Sequence, residues 1–529
     1  MTIGRRFPWA AACWLVALVA AAAVLLPPAY LTLRALGADA AAWGTLVGPR
    51  TWVIFARTAI LALVVTVLTL ALALPLAWLT TRSDLPARRF WAVATALPLV
   101  IPSYIGAYLI AAALGPRGML QAGLEQLVGI ERLPSIYGFR GAVLVLVLFS
   151  YPYPLLLLRA SLARMDGALE AASRTLGHGP GATFRHVTLP QLRPALVAGG
   201  LLVALYVLRD FGAVSIMRYD TFTRVIYVQY QSAFDRHGAA LLALLLVVMT
   251  LGLLVVEKGF EQRARYHATG GQAARRAPTV PLGRWRWPAV ALCAGVTALA
   301  LVLPGLILAY WLARGLAAGE TIPMLGAATW HSFLGSSLAA MVALGLALPI
   351  ALLSVRRPGR ASRWLGRVTW TSQALPGLVV ALALVFFSVR FARPLYQSLA
   401  LLVAAYAVLF LPQALGAVRT SLLQVQPSVE EAGRTLGRGP WRVFTSVTLP
   451  LVGPGIAAGL ALVALTALKE LPATLILSPI GFNTLATGVW SAVSEAFFAR
   501  AAAPALLLIL LSSVPLAVLV LREQHPEAA

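Results

Sequence analysis

A dozen apolar stretches, each close to the length that crosses a lipid bilayer, constrain this chain more than any other feature. In the first half they run near 9–33, 59–79, 91–114, 141–158, 194–217 and 239–256; in the second near 288–312, 333–353, 374–389, 399–418, 455–477 and 501–521. Spanning the hydrocarbon layer takes roughly 20 mostly apolar helical residues. Of the 529 residues 60% are apolar and only 11% are charged, a balance that a soluble core does not explain. The expectation is an all-α integral membrane protein with twelve transmembrane helices. Six fall in a first repeat, 1–256, and six in a second, 288–529, with a polar, arginine-rich cytoplasmic linker at 257–287 between them.

The formal charge of +24 does not mark a nucleic-acid binder, because the arginines sit in short loops between apolar runs rather than on one soluble face. With the N-terminus inside, most of the 42 Lys and Arg residues fall on the cytoplasmic side, so both termini are expected there. The first apolar run follows Arg5 and Arg6 but is too long for the core of a signal peptide, and is expected to be retained as a helix. Cys13 and Cys293 each lie inside an apolar stretch, without the spacing of a disulfide framework or a metal site. They are read as packing residues.

The halves repeat each other most clearly in a polar segment. Residues 170–199 read EAASRTLGHGPGATFRHVTLPQLRPALVAG and residues 430–459 read EEAGRTLGRGPWRVFTSVTLPLVGPGIAAG, matching at 16 of 30 positions without a gap at an offset of 260. Six crossings separate equivalent points, so the repeats are parallel rather than inverted. Both copies lie in loops expected on the cytoplasmic side, 164–193 and 421–453. Each carries a carboxylate at its start, a Gly seven residues on, and a Leu-Pro before the next crossing, an order that fits a short helix, a turn and the start of another helix. Loops usually vary most, so a duplicated loop suggests that each copy meets a similar partner surface.

This EAA…G…LP pattern resembles the loop signature of the type I ABC importer permeases of bacterial binding-protein-dependent systems. In that family the short helix docks on the ATPase subunit. The resemblance implies a coupling role for Glu170, Ala171, Ala172, Gly177, Leu189 and Pro190, and for Glu430, Glu431, Ala432, Gly437, Leu449 and Pro450. The second copy departs from the pattern at Glu431, and the two copies differ at Ser173 and Gly433. The fused layout is similar to that of the ferric iron permeases. So are the stretches DFGAVSIMRYDTFTRVIY at 210–227 and KELPATLIL…GFNTLATGVW at 469–490, while fused thiamine permeases share the layout. The resemblance further implies two ABC ATPase subunits at the cytoplasmic face, an external or periplasmic solute-binding protein, and a place in the bacterial inner membrane. ATP and Mg would be used by the ATPase, with no cofactor in this chain.

The chain has no phosphate-binding loop of its own. Its two lysines, Lys258 and Lys469, are followed by Gly and Glu rather than Ser or Thr, so an energy source must lie in a partner ATPase or in an ion gradient. An ion-coupled secondary transporter explains the two halves equally well but not why a cytoplasmic loop is their best-matched segment. The fifth apolar run of each half is interrupted at equivalent places, Arg209-Asp210 and Lys469-Glu470, leaving apolar runs of 194–208 and 455–468 that look too short to span alone. Two readings stand. The charges line a path or gate, with Arg209 near Glu470 and Lys469 near Asp210 about a pseudo-twofold axis, or they snorkel near the outer interface or fix helix ends with Gly212 and Pro472. Tyr104, Tyr151, Tyr153 and Tyr206 carry oxygen donors, but at interfacial or packing positions, and no catalytic or metal site is expected.

Overall fold

The computed structural model describes residues 10–116, 118–121, 125, 134–231, 236–264, 279–320 and 325–524. Those residues are helical almost throughout. Among them there is no strand, only an isolated bridge between Ser83 and Val280. Among the described residues, nine helices are long and apolar enough to cross a membrane, or eleven when each of two sharply bent pairs counts as one span. The twelfth expected segment lies in the helix Phe498–Gln524.

The third segments, expected near 91–114 and 374–389, each belong to a bent pair of helices. Arg88–Val100 meets the helix beginning at Ser103 at 93°, and Arg360–Ala374 meets Gly377–Phe391 at 106°. Both breaks have one cause. Ile101 and Leu375 precede Pro102 and Pro376, and the proline ring pushes the preceding residue out of the helical region, here to ψ of 115° and 118°. The prolines then take extended backbone as the caps of the second helix of each pair.

The fifth helices begin earlier than expected, at Pro180 and Pro440, and run continuously to Arg209 and Leu468. Each is long enough to cross alone, so the idea that the runs before the charged pairs are too short does not hold. Leu189-Pro190 and Leu449-Pro450 lie inside these helices, just after one π-helical turn at Phe184–Thr188 and at Phe444–Thr448. Proline lacks the N–H that would close the normal bond four residues back, and the wider turn accommodates the gap. A third π turn, Ala298–Val302, also precedes a Leu-Pro, Leu303-Pro304.

The described residues fall into two compact units that do not coincide with the sequence halves. One lies within Met1–Trp43, Asp235–Val247 and Ile322–Gly488, the other within Gly44–Phe234, Val248–Thr321 and Val489–Ala529. The first unit thus joins the core of the second repeat to the first helix of the chain, Ala10–Leu36, whose Tyr30 hydroxyl donates to the Phe386 carbonyl at 3.2 Å. In the other unit the core of the first repeat holds the opening and closing helices of the second. The Tyr108 hydroxyl donates to the Phe498 carbonyl at 2.8 Å, and Trp311 packs edge-on against the Phe498 ring. Cys13 and Cys293 are both buried and unbridged.

Part of the expected linker, 265–278, lies outside the described residues. Its first residues extend the helix Arg236–Ala264 past Val256. Its last residues are tied to the end of the helix Pro49–Arg82, where the Val280 amide donates to the Arg82 carbonyl at 2.8 Å and the Leu282 amide to Asp84 Oδ1, also at 2.8 Å.

Candidate functional site: two buttressed short helices

Each duplicated loop folds as a short helix, Gly167–Thr175 or Pro427–Thr435, then a turn and the long fifth helix. The starts differ chemically. Asp166 caps the first by accepting from the Ala168 amide at 3.0 Å, whereas Pro427 opens the second, where its missing N–H costs nothing. Both end alike, in the left-handed region at Gly177 (φ 85°) and Gly437 (φ 78°). The Gly177 and His178 amides reach back to the Arg174 and Ser173 carbonyls, and the Gly437 and Arg438 amides to those of Arg434 and Gly433, so each end is a two-bond glycine cap. A side chain would strain these turns.

Gly167, Glu170 and Ser173 fall every third residue and face inward. Glu170 is 8% exposed and Glu430 7%, so neither leading carboxylate lies on the open surface. Glu170 Oε1 accepts from Arg82 Nη2 at 3.1 Å and from the Thr188 hydroxyl at 2.9 Å. Glu430 Oε1 is 2.9 Å from Arg356 Nη2, accepts from Arg356 Nε at 3.1 Å, and takes the Thr448 hydroxyl at 3.1 Å. Arg82 and Arg356 end long membrane helices, while Thr188 and Thr448 sit in the π turns. The lock therefore ties three elements together at one oxygen in each half.

The opposite face of each short helix is open. Ala171, Ala172, Glu431 and Ala432 are exposed, and at the cap positions Leu176 and Leu436 are 79% and 80% exposed. Leu169 and Val429 extend this apolar surface. Inside, the difference between Ser173 and Gly433 is matched by that between Thr183 and Val443. The Ser173 hydroxyl is bonded to that of Thr183 at 3.1 Å, whereas at the equivalent positions a Cβ on Gly433 would lie 3.3 Å from a methyl of Val443. Leu189 and Pro190 are half-buried, and Leu449 and Pro450 exposed, at the foot of the long helices.

The charged pairs fall where the fifth helices stop. Asp210 Oδ1 accepts from the Ala213 amide at 3.0 Å and the Val214 amide at 3.3 Å, capping the short helix Gly212–Ile216. Glu470 Oε1 accepts from the Ala473 amide at 3.3 Å, at the start of Pro472–Leu477. Within its unit each carboxylate thus serves a helix end. Each also meets the second helix of the bent pair, in a reciprocal exchange of size. The Ser103 hydroxyl donates to Asp210 Oδ2, while Gly377 leaves the room that the longer Glu470 occupies, since a Cβ at 377 would overlap Glu470 Oε1. Arg209 and Lys469 are half-buried at the same breaks. The Tyr153 and Tyr206 rings pack 5.3 Å apart, and Tyr104 and Tyr151 are buried.

Arg82, Arg356, Thr188, Thr448, Ser103 and Gly377 were not singled out from the sequence. Their signal was available in the duplication, because Thr188 and Thr448 match within the repeated segment, 260 apart, and Arg82 and Arg356, like Ser103 and Gly377, lie 274 apart.

A duplicated, multi-pass helical membrane protein with one buttressed short helix per half is the class these features define. The model of the family of binding-protein-dependent transport system inner membrane components matches residues 69–266 and again 335–524, and the chain belongs to that family. It is 34% identical over 472 residues to an Fe(3+)-transport system permease protein of Haemophilus influenzae, covering 88% of this chain and 89% of that one. It is 30% identical over 198 residues to a molybdenum transport system permease protein of Escherichia coli, covering 36% and 85%. A probable sulfate transport system permease protein of Chlorella vulgaris is 27% identical over 189 residues, 35% of this chain and 70% of that one.

Two predictions follow from the packing. Arg82→Met should destabilise the chain by about 3–5 kcal/mol, because it strands a buried carboxylate, and adding Glu170→Leu should return most of that loss. Thermal unfolding in detergent measures both variants, and equal stability of Arg82→Met and the unaltered chain would refute the lock. Gly377→Ser should lower stability through overlap with Glu470, whereas Gly377→Ser with Glu470→Asp recreates the Ser103–Asp210 arrangement and should recover. A double variant no more stable than Gly377→Ser alone would count against the size exchange.

Proposed function

We propose that the chain is the permease subunit of an ATP-driven importer, with twelve spans in two parallel six-helix halves and both termini in the cytoplasm. One ATPase subunit docks on each short helix, and an external binding protein delivers the solute. The observation that carries this reading is the pair of open apolar faces centred on Leu176 and Leu436, each held from beneath by a buried ion pair. An exposed leucine at the same cap of two duplicated helices suits a recurring partner groove. In this reading hydrolysis, with its ATP and Mg, belongs to that partner, because this sequence has no phosphate-binding loop of its own.

Ferric iron is the proposed cargo. The support is the likeness, over nearly the full length of both chains, to a permease named for Fe(3+) transport; the molybdenum and sulfate permeases align with only about a third of this chain. Closure of the ATPase pair on ATP would draw the two short helices together, and hydrolysis would release them, shifting the balance between conformations of the pore. In this scheme the coupling residues form two groups. Glu170, Gly177, Glu430 and Gly437 shape and hold the helices, while Ala171, Ala172, Glu431 and Ala432 border the docking face. The helix breaks at Arg209, Asp210, Lys469 and Glu470 are the proposed narrow part of the path.

Burying a leucine side chain is worth about 1.5–3 kcal/mol, so Leu176→Asp or Leu436→Asp should weaken ATPase binding by roughly ten-fold or more. Co-purification of the ATPase and ATP-dependent uptake of ferric iron into proteoliposomes should fall together. Iron uptake by the chain alone, driven by an ion gradient, would overturn the importer reading, and ATP-dependent uptake of another solute would overturn the cargo alone.

A further inference from the structure

Far from the short helix Gly167–Thr175, within the same compact unit, is a cavity that the transport scheme does not use. It lies at the start of the helix Pro49–Arg82, about 30 residues and so some 45 Å along the axis from Arg82. Its volume is about 300 Å³, and its walls carry Arg50, Arg57, Arg224 and Asp220 with four aliphatic side chains, all within one compact unit. Arg50 and Arg57 are seven residues apart and share a helix face. Asp220 pairs with Arg57 at 3.6 Å and with Arg224, leaving one carboxylate among three guanidiniums. The long helix begins at the same place without an acidic residue in its first turn, so its dipole adds to the positive potential.

We propose that this cavity seats the phosphate of an anionic phospholipid. Guanidinium forks suit phosphate oxygens, and a free phosphate would account for the charged groups equally well. The walls favour the lipid. Val53, Ile54, Val225 and Val228 line the cavity, and from Val53 an exposed apolar stripe continues at Ile60 and Val67, one helix face that an acyl chain can follow. The site is independent of the transported solute.

Native mass spectrometry of the detergent-purified full chain tests it, by titration with phosphatidylglycerol, phosphatidylcholine or inorganic phosphate. Phosphatidylglycerol should bind and phosphatidylcholine, which is neutral overall, should bind much more weakly. Arg50→Gln should lower phosphatidylglycerol affinity roughly five-fold, and Asp220→Asn, which removes the competing carboxylate, should raise it by a similar factor. Equal binding of the two lipids, or affinities unmoved by both substitutions, would overturn the site. Displacement of the lipid by millimolar inorganic phosphate, which then binds by itself, would overturn the lipid assignment. Because no transport is measured, failure here leaves the importer reading untouched, and failure of that reading leaves this site standing.

Discussion

One carboxylate oxygen in each half holds the duplicated loops in place. Glu170 and Glu430 each take an arginine from the end of a long membrane helix and a threonine from a π turn, so a helix of nine residues is fixed to two others at a single point. Such a short helix has little stability of its own. Taking a carboxylate and a guanidinium out of water is costly, and a buried pair of this kind often adds little net stability over apolar packing. What it supplies is geometry, because any shift of the short helix leaves a charge buried and unpaired.

The prolines complete that geometry. Pro190 and Pro450 remove the amides that would close a normal turn, and the resulting π turns carry Thr188 and Thr448, the residues that reach the carboxylates. The Leu-Pro of the repeated pattern and its leading Glu, nineteen and twenty residues apart, are therefore parts of one contact. The glycine between them releases the chain from the short helix in the only backbone region that turns it back without strain. At the other end of the fifth helices the same economy recurs, with a carboxylate capping a short helix and filling the space that a serine or a glycine leaves for it.

Much of this was legible in the sequence. The duplication, the two loops and their glycine turns, and the interruptions at Arg209-Asp210 and Lys469-Glu470 all follow from spacing and residue type. Two kinds of feature were not. Arg82 lies 88 residues from Glu170 and Arg356 lies 74 from Glu430, and in a chain with 42 basic residues nothing local distinguishes them. The break at Ile101-Pro102 was concealed differently, inside an apolar run whose hydropathy continues across the proline, and that at Leu375-Pro376 fell at the start of the run 374–389, after an arginine-rich helix that does not read as part of a span. The exchange of helices between the compact units depends on which apolar faces fit, which periodicity does not encode.

If the buried carboxylate makes the short helix and the long helix one rigid body, their separation must not change during the transport cycle. Spin labels at Thr175 and Ala71, exposed positions on the two elements, report that separation by pulsed electron resonance in the assembled transporter, once the two native cysteines have been replaced. A single narrow distance, the same with and without ATP and broadened by Arg82→Met, is the result expected. A distance that changes on ATP binding would contradict rigid attachment and place the moving joint at the lock itself.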